Sequence, residues 1–518
     1  MLVTIIAFAT VALWLSPGSW ERRVDGAQAN TAPVSNVATE EEARAVCGTA
    51  CHLFPPPDLL PRAAWRDTVA RMMLISEGAV EPAGPTGTAG RLVLLSEPMQ
   101  RVLRFYLGHA PQSLPPPTPW PAADDSGFTR SSFSPPDPPP APAVSHVRFL
   151  DLDEDGQLEA VASDMRYGLI AAGRPWEKPG RMEIIGTVPN PAHFEPFDFD
   201  GDGTKDLLVG DLGSFQPADH LKGAVVWMRG LKRGRFSQLS LDGWPRVADV
   251  QAGDFNGDKK PDLLVAAFGW RKVGRLVVLE NRTTRYDQPS FSNHDVDPRS
   301  GSIHAIPTDL DGDGRLDIVA LLAQQHESVI AYLNTGEGFT FRQEVIYAAP
   351  HPNWGSSGIQ LVDLDRDGDL DVLLTHGDTF DDQIVKPYHG IMWLENRGGY
   401  PYVPHPLADL PGAFRAQAGD LDGDGDLDIV ACAFIAGGAD LDESDMPALV
   451  WLEQVKPGTF ERRTLARRPP RHPTLDLADY DGDGDLDILV GMFATSKTVL
   501  PWVEVWENKR KGAAGSGQ

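Results

Sequence analysis

The sequence predicts a mainly β chain, a seven-bladed β-propeller preceded by a small α-helical module. Three observations carry this reading. The pattern D-x-[DN]-x-D-x-x-x-[DE] occurs seven times, with starts separated by 47, 56, 55, 54, 57 and 59 residues. A period near 55 suits one four-stranded blade with its loops. Each copy is followed by a short apolar run, and 51 Gly with 45 Pro in 518 residues supply turns rather than long helices.

The elements follow in order. An apolar run from Leu2 to Leu15 is short for a membrane span and suits a signal-peptide core, and Ala27-Gln28-Ala29 supplies a cleavage pattern. Residues 1–29 are therefore read as a signal peptide. No Lys or Arg precedes the run, so an uncleaved N-terminal anchor is the alternative. Either way the chain is expected to be exported, to a periplasmic or extracellular location. A helical module is expected over 39–110. The stretch 111–143 follows, with 12 prolines between Pro111 and Pro142, and reads as a stiff spacer separating the two modules.

The propeller is expected over 144–508. After each acidic loop comes a buried strand such as Leu207-Leu208-Val209 or Ile488-Leu489-Val490, then a third such as Val225-Val226-Trp227. The last unit stops after Val503-Glu504-Val505-Trp506-Glu507-Asn508 and lacks a fourth strand. Gly127 to Phe133 resembles the missing strand, so the N-terminal side is expected to close the ring and remove exposed edges. Residues 509–518 read as a flexible tail.

The repeated units resemble FG-GAP/VCBS repeats, the calcium-binding blades also found in the integrin alpha-subunit propeller. The resemblance covers about Val144 to Asn508 and is carried by the seven matched loops.

Each loop has the composition of a calcium turn, because calcium takes six to eight oxygens in a tightly wound segment. Positions 1, 3, 5 and 9 are Asp151, Asp153, Asp155 and Glu159 in the first loop and Asp198, Asp200, Asp202 and Asp206 in the second. They are Asp254, Asn256, Asp258 and Asp262 in the third, and Asp309, Asp311, Asp313 and Asp317 in the fourth. The last three loops supply Asp363, Asp365, Asp367 and Asp371, then Asp420, Asp422, Asp424 and Asp428, then Asp479, Asp481, Asp483 and Asp487. Up to seven Ca²⁺ are expected. Position 6 is Gly in six loops and Lys259 in the third, where Asn256 also removes a charge, so that site is expected to be weakest. These positions hold 27 acidic residues, equal to the whole net charge of -27. Without metal such carboxylates repel one another, and the sequence shows no other evident cation for them. The same negative balance excludes nucleic acid as a partner.

Counting back five residues from each first Asp gives His146, His193, Asp249, His304, Gly358, Arg415 and Thr474. Alternation with apolar neighbours places these on the polar side of a strand that lines the central channel. They form a hydrated channel wall, or a metal or acid–base cluster. The segment from His376 to Asp382, with Asp378 and Asp381, is the richest loop on the same face. No P-loop, H-E-x-x-H or G-x-S-x-G occurs, so no reaction is fixed.

In the helical module, Cys47-Gly48-Thr49-Ala50-Cys51-His52 has two thiols followed at once by His, the arrangement that attaches haem c, with three residues between the thiols instead of two. The segment Thr39 to His109 resembles small cytochrome c domains that precede VCBS propellers in some bacterial exported proteins. That resemblance implies a haem on Cys47 and Cys51, His52 as axial ligand and Met73 as the second, with Met72 and Met99 as rivals. A disulfide between Cys47 and Cys51 is the competing reading. Cys432 reads as a core thiol.

The leading functional reading is an exported calcium propeller with a c-type haem module, acting in electron transfer coupled to binding or oxidation of a ligand. That ligand would be an extracytoplasmic carbohydrate, protein or small molecule, with a separate redox partner. The alternative is a non-redox adhesion or carbohydrate/protein-binding propeller with Cys47 and Cys51 as a disulfide.

Overall fold

The computed structural model describes residues 38–47, 53–77, 93–175, 181–232, 234–380, 382–437, 445–495 and 499–510. Seven four-stranded antiparallel sheets make up the propeller. Blade 1 spans 144–187, blade 2 191–244, blade 3 247–297, blade 4 302–348, blade 5 356–409 and blade 6 413–467. Blade 7 combines Leu475–Ala478, Asp487–Gly491 and Val503–Asn508 with Phe128–Phe133, whose register runs from Phe128 opposite Asn508 to Phe133 opposite Val503. One strand from each end of the propeller sequence thus completes the ring, and a closed ring leaves only short protected edges.

The second strand of every blade is buried along its whole length, which is why it reads as a continuous apolar run rather than an alternation. Its two faces pack against different neighbours. Leu150, Val161 and Ile170 of blade 1 share a cluster with Phe194, Leu207 and Val226 of blade 2. Equivalent clusters join each later pair, and Val147 and Ala162 of blade 1 meet Leu489, Trp502 and Val503 of blade 7. The fourth strands alternate, as in Arg235–Trp244, because only one side has a partner.

The first helix, α1 (Glu40–Cys47), begins with a capping box: Thr39 N–H donates to Glu42 Oε2 at 2.7 Å, and Glu42 N–H donates to Thr39 Oγ1 at 3.2 Å. It packs with α2 (Trp65–Ser76) and α3 (Glu97–His109) around Trp65 and Tyr106, whose rings stack 3.6 Å apart. The indole N–H donates to the Leu60 carbonyl and the Tyr106 hydroxyl to that of Pro55, so both rings are buried with their polar atoms satisfied. Among the described residues no helix is long and apolar enough to cross a membrane. Residues 1–29 lie outside them.

The proline-rich stretch differs from its expected role as a separating spacer. Trp120 is buried between blades 5 and 6 and donates its indole N–H to the Asp409 carbonyl at 2.9 Å. Thr118 Oγ1 donates to Asp409 Oδ2, Asp124 N–H to the Thr464 carbonyl, and Arg467 to the Trp120 carbonyl. An extended proline-rich backbone keeps its carbonyls free, and the propeller rim uses them. The two modules also touch directly, because Ile384 and Tyr388 of blade 5 pack on the helical core.

Candidate functional site

The seven acidic loops share one construction. The position 1 carboxylate gathers backbone N–H groups from further along the turn, as Asp155 and Gly156 donate to Asp151 Oδ1 and Oδ2 at 3.0 and 3.1 Å. The position 6 donation to position 1 recurs in the other six loops. Position 5 in turn accepts the N–H of position 7 in all seven. This winding needs left-handed backbone at position 6, where φ is +86° to +100° for the six glycines and +67° for Lys259. Position 4 is left-handed as well, at Glu154, Gly201, Gly257, Gly312, Arg366, Gly423 and Gly482. Gly in five of those seven places was the available signal.

The winding brings carboxylates together. Asp151, Asp153 and Glu159 each place an oxygen within 4.8 Å of the others, as do Asp198, Asp200 and Asp206. The sets Asp309, Asp311 and Asp317, Asp363, Asp365 and Asp371, and Asp420, Asp422 and Asp424 do the same. An all-oxygen donor set on a short, tightly turned loop fits a hard divalent cation. The Asp153 Oδ1 atom is buried and has no hydrogen-bond partner among the described residues, which leaves it available to an ion.

Position 9 does more than close the loop. Asp206 is fully buried; its Oδ2 accepts the Phe199 N–H at 3.0 Å and the Trp227 indole N–H at 2.8 Å, and its Oδ1 accepts the Gly230 N–H at 2.6 Å. Asp262, Asp317, Asp371, Asp428 and Asp487 likewise tie the start of the loop to the end of the third strand. Burial pushes Asp206, Asp262 and Asp371 up to about 6, and Asp428 and Asp487 up to about 7, against the pull of these donors. A side-chain amide at the end of the third strand completes the joint. Asn334 Nδ2 donates to the Leu316 carbonyl and to Phe255 of the preceding blade, and Asn508 does so to Leu486 and Leu421. The recurring Asn281, Asn334, Asn396 and Asn508 were the sequence signal for it.

The expectation that these carboxylates lack other cations is corrected in four loops: Arg315 meets Asp313 in the fourth, and Lys509 lies 3.7 Å from Asp481 in the seventh. Arg229 approaches Asp200 at 2.5 Å and Asp202 at 3.0 Å, and Arg174 approaches Asp153 at 2.5 Å and Glu159 at 3.3 Å. Arg229 and Arg174 come from the neighbouring third strand or its end, a contact that local sequence does not display.

The residues expected on the ligand face fall in two places. His146, His193, Asp249 and His304, from the inner strands of blades 1 to 4, meet at the channel. His193 Nδ1 lies 2.9 Å from Asp249 Oδ1, His304 Nδ1 lies 3.7 Å from Asp249 Oδ2, and the His146 and His193 ring centroids are 4.0 Å apart. Burial opposes the Asp249 charge, but the surrounding His193 and His304 rings hold its carboxyl well below the usual range. Burial also lowers His146 and His304, and the charge of Arg415, from blade 6, lowers both further. Two residues along the same strands, Arg148 meets Glu195 at 3.0 Å, Gln360 Oε1 accepts the Ala418 N–H, and Asp476 accepts from Phe149 N–H and Gln417. That second ring fastens blade to blade.

His376 ends the second strand of blade 5 and Asp378 follows it, near Tyr388, which packs on the helical core. His376 stacks on Trp354 at 4.2 Å, and His351, Tyr388 and His389 pack around them. Burial pushes His376 down to about 3 and His351 to about 4. Trp354 Nε1, His351 Nδ1, His376 Nδ1 and both His389 ring nitrogens are buried without a hydrogen-bond partner among the described residues. Local pattern gave no reason to join residues 351–354 to this loop. Asp378 accepts the Phe380 N–H through Oδ1 at 2.8 Å, and Asp381 lies outside the described residues.

In the helical module, Met73 is buried in the same apolar cluster against which Cys47 packs, and its sulfur accepts the Ser96 N–H at 3.4 Å. Met99 also packs on this cluster. Cys51 and His52 lie outside the described residues. Cys432 is fully buried between blades 6 and 7, and burial pushes its thiol up to about 12.

The model of the FG-GAP-like repeat family matches residues 198–265 and 309–374. A comparison with curated proteins finds no match. Among solved structures, BBS1N in complex with ARL6DN, soaked with mercury, is similar at 12% identity and a TM-score of 0.42, covering 74% of this chain and 98% of that one. The same complex soaked with lead gives 12% identity and 0.44, covering 76% and 97%. The chain carries FG-GAP-like repeats in a seven-bladed β-propeller.

Proposed function

We propose that this protein is an exported, calcium-stabilised propeller that binds an extracytoplasmic carbohydrate, protein or small molecule on the face opposite its acidic loops. The convergence of carboxylate oxygens, at positions 1, 3 and 9 in four loops and at 1, 3 and 5 in the sixth, carries the calcium reading. Calcium would be held by these oxygens and would neutralise them, pinning each turn to its blade. The chain's own contribution is the position 1 carboxylate, which organises the turn, and the position 9 carboxylate, which anchors it to the third strand. The metal then acts on stability and on loop order rather than on substrate.

The N-terminal module is proposed to carry a c-type haem on Cys47 and Cys51, with His52 and Met73 as axial ligands, which would couple ligand binding or oxidation to electron transfer with a redox partner. Its support is the thiol–thiol–His sequence together with the placement of Cys47 and Met73 at one apolar core. A bound haem would supply one-electron chemistry; the described residues supply the apolar surroundings.

Two measurements separate these parts. Chelation of the metal-loaded chain is expected to lower its melting temperature, and a melting temperature indifferent to EDTA would remove the calcium assignment. An absorbance spectrum of protein made in a host with haem-c maturation is expected to show a Soret band that survives denaturation. A featureless spectrum would instead favour the disulfide and a non-redox binding propeller.

A further inference from the structure

The channel end of the propeller holds a second kind of donor set, built from nitrogen as well as oxygen. His146, His193, Asp249 and His304 come from the same register position of four successive blades, five residues before each acidic loop. This position is where first strands converge on the axis, so the repeat itself delivers four side chains to one place.

The two separations about Asp249 bracket those of ligands around an ion. Two ligand atoms each about 2.1 Å from one metal stand roughly 3.0–3.4 Å apart, and the two imidazole–carboxylate separations here are 2.9 and 3.7 Å. At the shorter, His193 Nδ1 is within ion-pair reach of Asp249 Oδ1 but makes no well-aligned hydrogen bond among the described residues. His146 is more than nine-tenths buried, its Nε2 also has no partner among the described residues, and its ring lies against that of His193. Asp249 is held from outside, accepting the Ala305 N–H through Oδ2 at 3.2 Å and the Gln251 amide through Oδ1 at 3.0 Å. Ligating carboxylates are fixed by such outer contacts.

We propose that His146, His193, Asp249 and His304 bind a divalent d-block cation at the channel. Imidazole with a single carboxylate suits zinc, iron, cobalt or nickel, whereas calcium and magnesium take oxygen donors, so this site is chemically distinct from the acidic loops. Arg415 faces it from blade 6. An ion of charge +2 beside one carboxylate and one guanidinium leaves an excess of positive charge, which selects an anionic ligand for the remaining coordination positions. The inference deepens the reading of this face as the ligand-binding one, and rests on it.

The test uses the full chain, saturated with Ca²⁺ and freed of other metals, titrated with Co²⁺ and followed by visible absorbance. One tight equivalent is expected, with affinity at least tenfold weaker in Asp249→Asn and in His304→Ala and unchanged in His376→Ala. Calcium-dependent melting of each variant is measured in parallel; its retention shows that the propeller and its loops are intact. His193→Gln gives a second, milder probe should the others fold poorly. No cobalt band in the parent chain, a band that survives these substitutions, or one lost in His376→Ala would overturn the proposal while leaving the calcium propeller standing.

Discussion

The second acidic loop separates the proposed role of calcium from that of the scaffold. Asp206→Ala deletes a buried carboxylate that accepts three N–H donors, from Phe199, Trp227 and Gly230. Each buried donor left unmet costs about 1–3 kcal/mol, so even the lower bound gives a loss of about 3 kcal/mol. That loss is independent of metal. Asp200→Ala removes a carboxylate, its side chain 2% exposed, that pairs with Arg229 (38% exposed) and accepts the exposed Asp202 N–H at 3.2 Å; both partner residues reach water, so no donor need stay unmet. In chelator, Asp200→Ala should therefore lie close to the parent. In calcium at a hundredfold excess over its dissociation constant, it should forgo up to about 2.7 kcal/mol of stabilisation from that loop. Equilibrium urea unfolding of the full chain with EDTA and with Ca²⁺ reads all four values. An Asp206→Ala variant within about 1 kcal/mol of the parent in EDTA would refute the anchoring role, because unmet buried donors carry at least that cost each.

Three further outcomes follow from the same geometry. Lys259→Gly should stabilise the third loop by about 0.5–1 kcal/mol and tighten its calcium site, since Lys259 holds φ +67° where its counterparts are Gly, and a denaturation midpoint with and without Ca²⁺ checks it. Glu327 is buried in blade 4, and burial pushes its carboxyl up to about 8. The native state then binds the extra proton between the ordinary carboxylate value and about 8, so stability falls as pH rises through that window, and Glu327→Gln should flatten the dependence of melting temperature on pH. Trp120→Ala should cost about 3–5 kcal/mol and free the proline-rich stretch from blades 5 and 6, which limited proteolysis of the region around residues 111–126 would register.

The blades were legible because their determinants are local. A nine-residue acidic motif, a continuous apolar strand and an Asp count that returns every 55 residues or so all lie in short windows, and the seven-fold repetition removes ambiguity. The inner-strand His and Asp residues were legible for the same reason, since one register position recurs. What escaped is non-local. The Arg229 approach to Asp200 and the docking of Trp120 at Asp409 join residues far apart in sequence or in different modules. The grouping of His351 and Trp354 with His376 and His389 joins the connection between blades 4 and 5 to strand ends more than twenty residues further on. Position 9 was half legible. Its carboxylate was visible as a candidate ligand, but its burial against the third strand depends on how that strand returns, which the motif does not encode.

Calcium stoichiometry tests the central claim most directly. Chelator-treated, full-length protein would be titrated with Ca²⁺ in a calorimeter, with Asp198→Ala, Asp363→Ala and Asp479→Ala as single-loop controls. Several sites per chain, up to seven, are predicted, with one lost in each variant and the others retained. A chain that takes up no calcium at millimolar concentrations, or whose uptake is unchanged when these position 1 carboxylates are removed, would contradict it.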